Sequence, residues 1–478
     1  MRTPGQQRAG GLMALWTSSE IAAAVGGEAQ GDFRVNGVAF DSREVGEGDL
    51  FIAMKGEETD GHLYIDKAIK AGATGVLVSE PFDGPHIRVS DTAAALDKLC
   101  TGSRARTEAK IIGVTGSVGK TGVKEALYAA LNRSSLGKAH RSLKSYNNHV
   151  GVPLSLSRMP QDSQFGIFEM GMNHSGELSA LTRLVRPHAA IVTTIAPAHI
   201  GYFPDEEAIA DAKGEIFEGL VEGGTAIVPF DNRHYQRLRD KAAQHCEKII
   251  SFGLQDGADV RAVDMVPAQA GGSLVTANMG DQSLCFTISM PGEHWVSNAL
   301  AILAAVQAVG GDLASAGLAL AELEGLAGRG QRHRLQLKGG GSALLIDESY
   351  NANPVSMKAT LTQLAEEKCE GRRLAILGAM GELGDHSQQF HEALADDILA
   401  AGISHVILVG DEMVHTAARL QQNPAAQLDQ SVEISHVASA ADALSAVAEI
   451  LGDRDILLIK GSNYLGLAST VSGLVSGE

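Results

Sequence analysis

The chain is short of the residues that mark secreted, fibrous or nucleic-acid-binding proteins. Only four cysteines occur in 478 residues, Cys100, Cys246, Cys285 and Cys369. They form no CxxC pair and no metal-type spacing, which excludes a disulfide framework or a zinc module and reads as buried free thiols. Basic residues are outnumbered, 39 Lys and Arg against 57 Asp and Glu, for a formal charge of −18. That balance excludes broad nucleic-acid binding, because phosphate backbones are held by clustered lysine and arginine. Anionic ligands must then be met by local groups. Long apolar runs are missing too: Ala299 to Val306 is short and alanine-rich, so no membrane insertion is expected. The opening MRTPGQQRAGGLMALW lacks an apolar core of signal-peptide length. Residues 1–12 read as a leader with Met13 as an alternative start, and the expected setting is cytoplasmic.

What the chain has is glycine, 55 residues, and 44% hydrophobic residues with only 4% aromatic. This composition fits an α/β protein with many strand-to-helix turns. The length predicts about three domains. From Thr17 to about Thr107 short helical and strand patterns alternate, with AIKAGATGVLVSE reading as helix, glycine stop and buried strand. After the basic stretch TGSRARTEAK, the segments IIGVT, FGIFEM, AAIVTTI, GTAIVPF and KIISF repeat strand and helix with the period of a doubly wound parallel sheet. DVRAVDM, GSLVTANM and SLCFTISM read as short antiparallel strands appended to it, followed by helices over Glu293–Val309 and Leu313–Leu323. Beyond AGRGQRHR the strands ALLIDE, LAILG, HVILVG, VEISHV and DILLIK predict a second open, Rossmann-like α/β sheet. The expected division is an N-terminal α/β module over 1–108, a central P-loop domain over 109–330 and a C-terminal domain over 331–478.

The densest chemistry lies in IIGVTGSVGKTGV, Ile111 to Val123. An apolar strand ends in a glycine-rich turn (Thr115, Gly116, Ser117, Val118, Gly119) that delivers Lys120 and Thr121. Such a turn aims backbone N–H groups at phosphate oxygens, the next helix adds its positive end, the lysine neutralises charge and the hydroxyl holds magnesium. The strict pattern wants glycine where Val114 stands, so this is a variant ATP loop. Ligands of open α/β sheets bind beyond the carboxyl ends of strands. There FGIFEM ends in Glu169, AAIVTTI runs into His199, and Lys213 follows on a helix beginning near Asp205. Each also has an ordinary role open to it: Glu169 can cap a turn, His199 can be a satisfied loop histidine and Lys213 a solvated helix residue. No NKxD string and no HRD or DFG element is present, which leaves an ATP-dependent transferase or ligase, or a mechanical ATPase. The extra domains favour the first.

Taken together, GVTGSVGKT, EMGMNHSGEL, AHIGYF with AKGEIF, EHWVSNAL and DESYNANPVSM resemble the Mur ligases of peptidoglycan precursor synthesis, over about Thr17 to Gly461. Within that family YNNHVGVPLSL, AKGEIFEGL and YNANPVSM most resemble the branch that adds D-alanyl-D-alanine to UDP-N-acetylmuramoyl-tripeptide. The resemblance implies that a substrate carboxylate attacks the γ-phosphate of ATP and that the incoming amine then displaces phosphate. It implies one magnesium ion on Thr121 and Glu169, a second near His199, and Lys213 carbamylated into an anionic oxygen ligand. It implies further that Asn298 contacts adenine, that a hinge arginine reaches the γ-phosphate, and that Tyr350 and Asn351 close over ATP. Arg329 best fits the hinge position, with Arg332 and Arg334 open to the same role. Trp295 stands where many relatives have asparagine, and Ala379 replaces an acid in LGAMGELGDH while Glu382 is retained.

FDSREVGEGDLFIAMKGEETDGH looks like the family's UDP-sugar element, with Ser42 and Arg43 as contacts suited to anionic oxygens. Asn147 and Asn148 would touch the muramoyl peptide. The sister ligase that adds the third peptide residue is the nearest alternative, although the DNPR string of its diaminopimelate form is absent. A P-loop protein without turnover is the non-enzyme alternative. The expected form is a monomer whose three domains close round the substrates.

Overall fold

The computed structural model describes residues 14–56, 59–198, 200–268, 271–422 and 432–477. The expected leader, Met13 and His199 lie outside the described residues.

Three main sheets carry the chain. The first orders its strands Glu28–Gln30, His86–Arg88, Gly75–Val78, Asp49–Ile52 and Gly37–Ala39, parallel except for the first pair. The AIKAGATGVLVSE pattern appears as expected: the Ile65–Lys70 helix ends before Gly72 at φ 113°, and Gly75–Val78 is buried throughout. A strand buried on both faces needs the continuous apolar run that GVLV provides.

The central sheet has nine strands. Its parallel part runs Lys248–Gly253, Thr225–Pro229, Ala189–Val192, Lys110–Thr115, Phe165–Glu169 and Ala139–Arg141 in space. The P-loop strand lies between two strands that follow it in sequence, so the strand order reverses there and opens a crevice at the carboxyl ends. Of the three appended strands, only Ser273–Met279 and Gln282–Ile288 enter antiparallel; Val260–Pro267 runs parallel to Lys248–Gly253, because its first residues continue the crossover pattern before the hairpin turns back. The helices Lys120–Ser134 and Glu293–Ala308 cover one face. Glu293–Ala308 is apolar on nearly every side from Ala299 to Val306 and is buried accordingly.

The third sheet orders Gln331–Gln336, Ser342–Glu348, Ile456–Lys460, Arg373–Gly378, His405–Val409 and Glu433–Val437, parallel except for the first pair. All four cysteines are free, but only Cys100 is fully buried; Cys285 is exposed on the edge strand Gln282–Ile288, where alternation turns it outward. No helix among the described residues is long and apolar enough to cross a membrane.

The sheets are locked together by backbone contacts. Trp16 Nε1 donates to Ser157 O at 2.9 Å, Ser103 Oγ of the Thr92–Ala105 helix to Leu156 O at 2.7 Å, and Arg158 Nε to Val38 O of the first sheet at 2.5 Å, joining the N-terminal elements to the end of the Gly151–Ser157 helix. The third sheet meets the central one where Gly201 N donates to Glu382 O at 3.0 Å. A Cβ on Gly201 would lie 2.8 Å from Gly384 N and 3.0 Å from Glu382 O, so only glycine permits this approach. Replacing Gly201 by valine should therefore push the two sheets apart at a cost of about 1–3 kcal/mol. Small-angle scattering should show a larger radius of gyration with unchanged far-ultraviolet dichroism; an identical profile would contradict the tight junction.

Candidate active site

The loop after Lys110–Thr115 is built by two left-handed glycines, Gly116 at φ 145° and Gly119 at φ 88°. A Cβ on Gly116 would sit 1.9 Å from Thr193 Oγ1, and one on Gly119 3.0 Å from Asn298 Oδ1, so the loop is pressed between the 193–196 segment and the Glu293–Ala308 helix. Ser117 ties it to that segment: its N–H donates to Thr194 O at 2.8 Å, and its hydroxyl donates to Ala196 O at 2.9 Å and accepts from Ala196 N at 3.0 Å. Thr193 Oγ1 donates to Val118 O at 2.5 Å. Thr115 is wholly buried beneath the loop. Ser117 and Thr115 thus shape the cradle from below, and the N–H of Ser117 is spent on Thr194.

The Lys120–Ser134 helix has Gly119 at its N-cap and no side-chain cap, which leaves its first N–H groups to an incoming anion. Lys120 Nζ lies across the turn, 2.7 Å from Gly116 O. Burial lowers its pKa, as does Arg329, against the pull of Glu169 and Glu382. Asn298 lies beside the loop at Gly119. Trp295 packs against the same first helical turn, with a Cβ on Gly122 falling 2.9 Å from its ring.

Glu169 ends its strand beside this helix with 1% of its surface exposed. Thr121 Oγ1 donates to its Oε2 at 2.9 Å and Asn147 Nδ2 to its Oε1 at 2.9 Å. Two oxygens of different types held side by side at the mouth of the phosphate loop suit a hard, oxygen-seeking cation such as magnesium. Lys213, on the Glu206–Gly214 helix capped by Asp205, is 1% exposed. Burial drives its pKa well below the usual lysine range, and the nearby Lys120 charge pushes it the same way. Both effects favour the neutral amine over the ammonium.

From the hinge, Arg329 stacks on Tyr350, its guanidinium carbon 4.0 Å from the ring centroid, with its charge felt by both Lys120 and Lys460. The other candidate arginines are engaged away from the loop. Arg332 makes a bidentate pair with Glu367 at 2.6 and 3.0 Å, and Arg334 Nε donates to Ser342 Oγ at 3.2 Å. Asn351 is exposed, with its carbonyl taking Lys460 Nζ at 3.0 Å. Ala379 is fully buried, its Cβ 3.3 Å from where a Cβ on Gly410 would stand, so an acid there would need a different packing. In the first sheet's loop Ser42 is 8% exposed, while Arg43 points outward and forks onto Asp41 at 2.6 and 2.9 Å. Asn148 Oδ1 accepts from Gly151 N at 2.9 Å and steadies the next helix, while Asn147 holds Glu169.

Two buried lysines at this centre escape a reading of the sequence. Lys460 is 2% exposed at the end of its strand, beside Glu348 at 3.5 Å; burial lowers its pKa, Glu348 opposes and Arg329 reinforces the shift. A charged residue ending an apolar strand, as in DILLIK, is the same signal that marks Glu169. Lys124, wholly buried one turn after Lys120, carries no such signal, because a lysine in a helical pattern reads as a solvated group.

Comparison with known proteins extends this picture over the whole chain. Residues 34–104 match the Mur ligase family, catalytic domain; 114–306 match the Mur ligase middle domain; and 333–463 match the Mur ligase, glutamate ligase domain. The UDP-N-acetylmuramoyl-tripeptide–D-alanyl-D-alanine ligase of Synechocystis sp. is 34% identical over 93% of this chain and 93% of its own length. The Escherichia coli enzyme of the same name is 32% identical over 96% of this chain and 98% of its own. A crystal structure of MurF from Acinetobacter baumannii superposes with a TM-score of 0.80 at 29% identity, covering 96% of this chain and 99% of that one. With three family domains in sequence along it and full-length relatives above 30% identity, the chain belongs to the Mur ligase family.

Proposed function

We propose that this protein uses ATP to join D-alanyl-D-alanine to UDP-N-acetylmuramoyl-tripeptide, giving the pentapeptide precursor of peptidoglycan. The observation that carries the reading is the meeting of the Lys120–Thr121–Glu169 cradle with Arg329 and Tyr350 from the hinge, in a chain matched end to end by ligases of that name. A carboxylate oxygen attacks the γ-phosphorus, the bond to ADP breaks, and an acyl phosphate forms. The amine of the dipeptide then adds to the acyl carbon, and collapse expels phosphate with loss of the amine proton. The first step brings anion to anion: two unit charges about 4 Å apart repel by about 4 kcal/mol at an effective dielectric of about 20. Lys120 and Arg329 sit where their charge offsets that repulsion, and they continue to do so as charge shifts to the leaving phosphate.

Thr121 and Glu169 would hold magnesium, which supplies further charge to the phosphates. Burial and the nearby Lys120 charge favour the neutral amine of Lys213, which can attack carbon dioxide, forming an N–C bond and releasing a proton to give a carbamate. His199 would assist with a second ion. Ser42 and Arg43 would take the UDP moiety, Arg43 by exchanging Asp41 for the diphosphate, and Asn298 and Asn351 would border the nucleotide. The boundaries near residues 108 and 330, a cytoplasmic setting and closure as a monomer are parts of the same proposal, supported by the three sheets and by a site split between them.

Phosphate release from ATP should require UDP-muramoyl-tripeptide and rise with D-alanyl-D-alanine, with a pentapeptide product by mass spectrometry. Release only with a UDP-dipeptide and a diamino acid would move the chain to the sister ligase. Arg329→Ala should lower kcat about 100-fold, the loss of about 2.7 kcal/mol of transition-state stabilisation, while Arg332→Ala should change it less than about threefold. Equal losses would put the γ-phosphate contact elsewhere. Lys213→Ala should be nearly inactive and regain part of its rate with a short-chain carboxylic acid; full activity without rescue would remove the carbamate from the scheme.

A further inference from the structure

Lys124 is wholly buried, and its presence needs a reason. An ammonium taken out of water costs several kcal/mol, and an apolar side chain of equal length would fill the space without that cost. Its Nζ lies 3.8 Å from Glu169 Oε2, 3.0 Å from Glu125 Oε1 and 2.6 Å from the carbonyl of Lys144. Arg141 Nε takes the other oxygen of Glu125 at 2.7 Å, so Lys124 bridges Glu125, Glu169 and the Lys144 carbonyl at once.

That carbonyl belongs to the stretch 142–149, which spans two of the three sheets' territories. Within it Asn147 holds Glu169, while the Lys144 ammonium and the Tyr146 hydroxyl, the latter at 2.5 Å, both engage Glu44 of the first sheet's loop, two residues from Ser42. Lys144 adopts φ 53°, a left-handed conformation that a non-glycine residue keeps only where its surroundings hold it. The Lys124 contact to its carbonyl is one such restraint.

We propose that Lys124 is a positioning residue that fixes the Glu169 carboxylate for the cation and, through the Lys144 carbonyl, ties that orientation to the Glu44 loop beside the UDP-substrate element. The inference rests on Glu169 as a magnesium ligand. Its consequence is that the first domain's loop and the metal end of the phosphate cradle are mechanically one unit, so loosening either end weakens cation binding at Glu169.

The test follows binding of a fluorescent ADP analogue to the full-length protein as magnesium is titrated. In Lys124→Met the magnesium concentration at half-effect should rise about tenfold, while affinity for the analogue in EDTA stays within about twofold; general damage to the fold would move both. Glu44→Gln, which frees the far end without leaving a buried charge, should shift the magnesium midpoint about threefold in the same direction and decides the matter if Lys124→Met does not fold. A magnesium-responsive wild type with unshifted midpoints in the variants would overturn the role of Lys124 alone. A wild type indifferent to magnesium would overturn the Glu169 reading and this inference with it.

Discussion

A buried carboxylate must be paired, and the active end of this protein is organised by that requirement at Glu169. Sealed from water at the end of its strand, the side chain would be costly unless its oxygens met donors. Thr121 and Asn147 supply them from the first turn of the phosphate-loop helix and from the stretch after Ala139–Arg141, and the Lys124 ammonium, 3.8 Å away on the next turn of that helix, adds an opposite charge. Satisfying one acid thus fixes the start of that helix, the neighbouring strand and the segment reaching the first sheet.

Close backbone approach is the second constraint. The phosphate loop is pinched between Thr193 and Asn298, and the third sheet reaches the central one at Gly201 and Gly384 with no room for a side chain. Such contacts are short-ranged and unforgiving, so they fix relative placement more sharply than apolar packing does. They bring Arg329, Tyr350 and Lys460 to the edge where Lys120 lies. Cations gathered at one place repel one another, and the lowered pKa values of Lys120, Lys213 and Lys460 record the combined cost of burial and that repulsion. An anionic nucleotide relieves it, which is how a protein of charge −18 can still bind a polyphosphate.

How much was legible in the chain differs from residue to residue. The Gly116–Thr121 turn and the strand ending at Glu169 were visible because each is encoded within a few residues. Lys213 could be placed on the helix after His199, but only resemblance gave it a role, since nothing local shows that its helix face is buried. In AGRGQRHR Arg329 fitted best while Arg332 and Arg334 stayed open to the same role; Arg332 is claimed by Glu367 and Arg334 by Ser342, partners that no spacing reveals. The cysteines were expected inside, yet Cys285 is exposed because its strand is at a sheet edge.

By itself the sequence determined the local geometry: which segments extend, which coil, where glycine lets the chain turn round a phosphate, and which family the motifs belong to. These follow from interactions across a handful of residues, through side-chain period, backbone freedom and capping. The tertiary structure alone decided which charges meet. Lys124 with Glu169, Glu44 with Tyr146 and Arg329 with Tyr350 join residues separated by 45, 102 and 21 positions. Their pairing depends on strand order and domain contact, and electrostatic energy depends on distance and burial in space, neither of which a linear pattern contains.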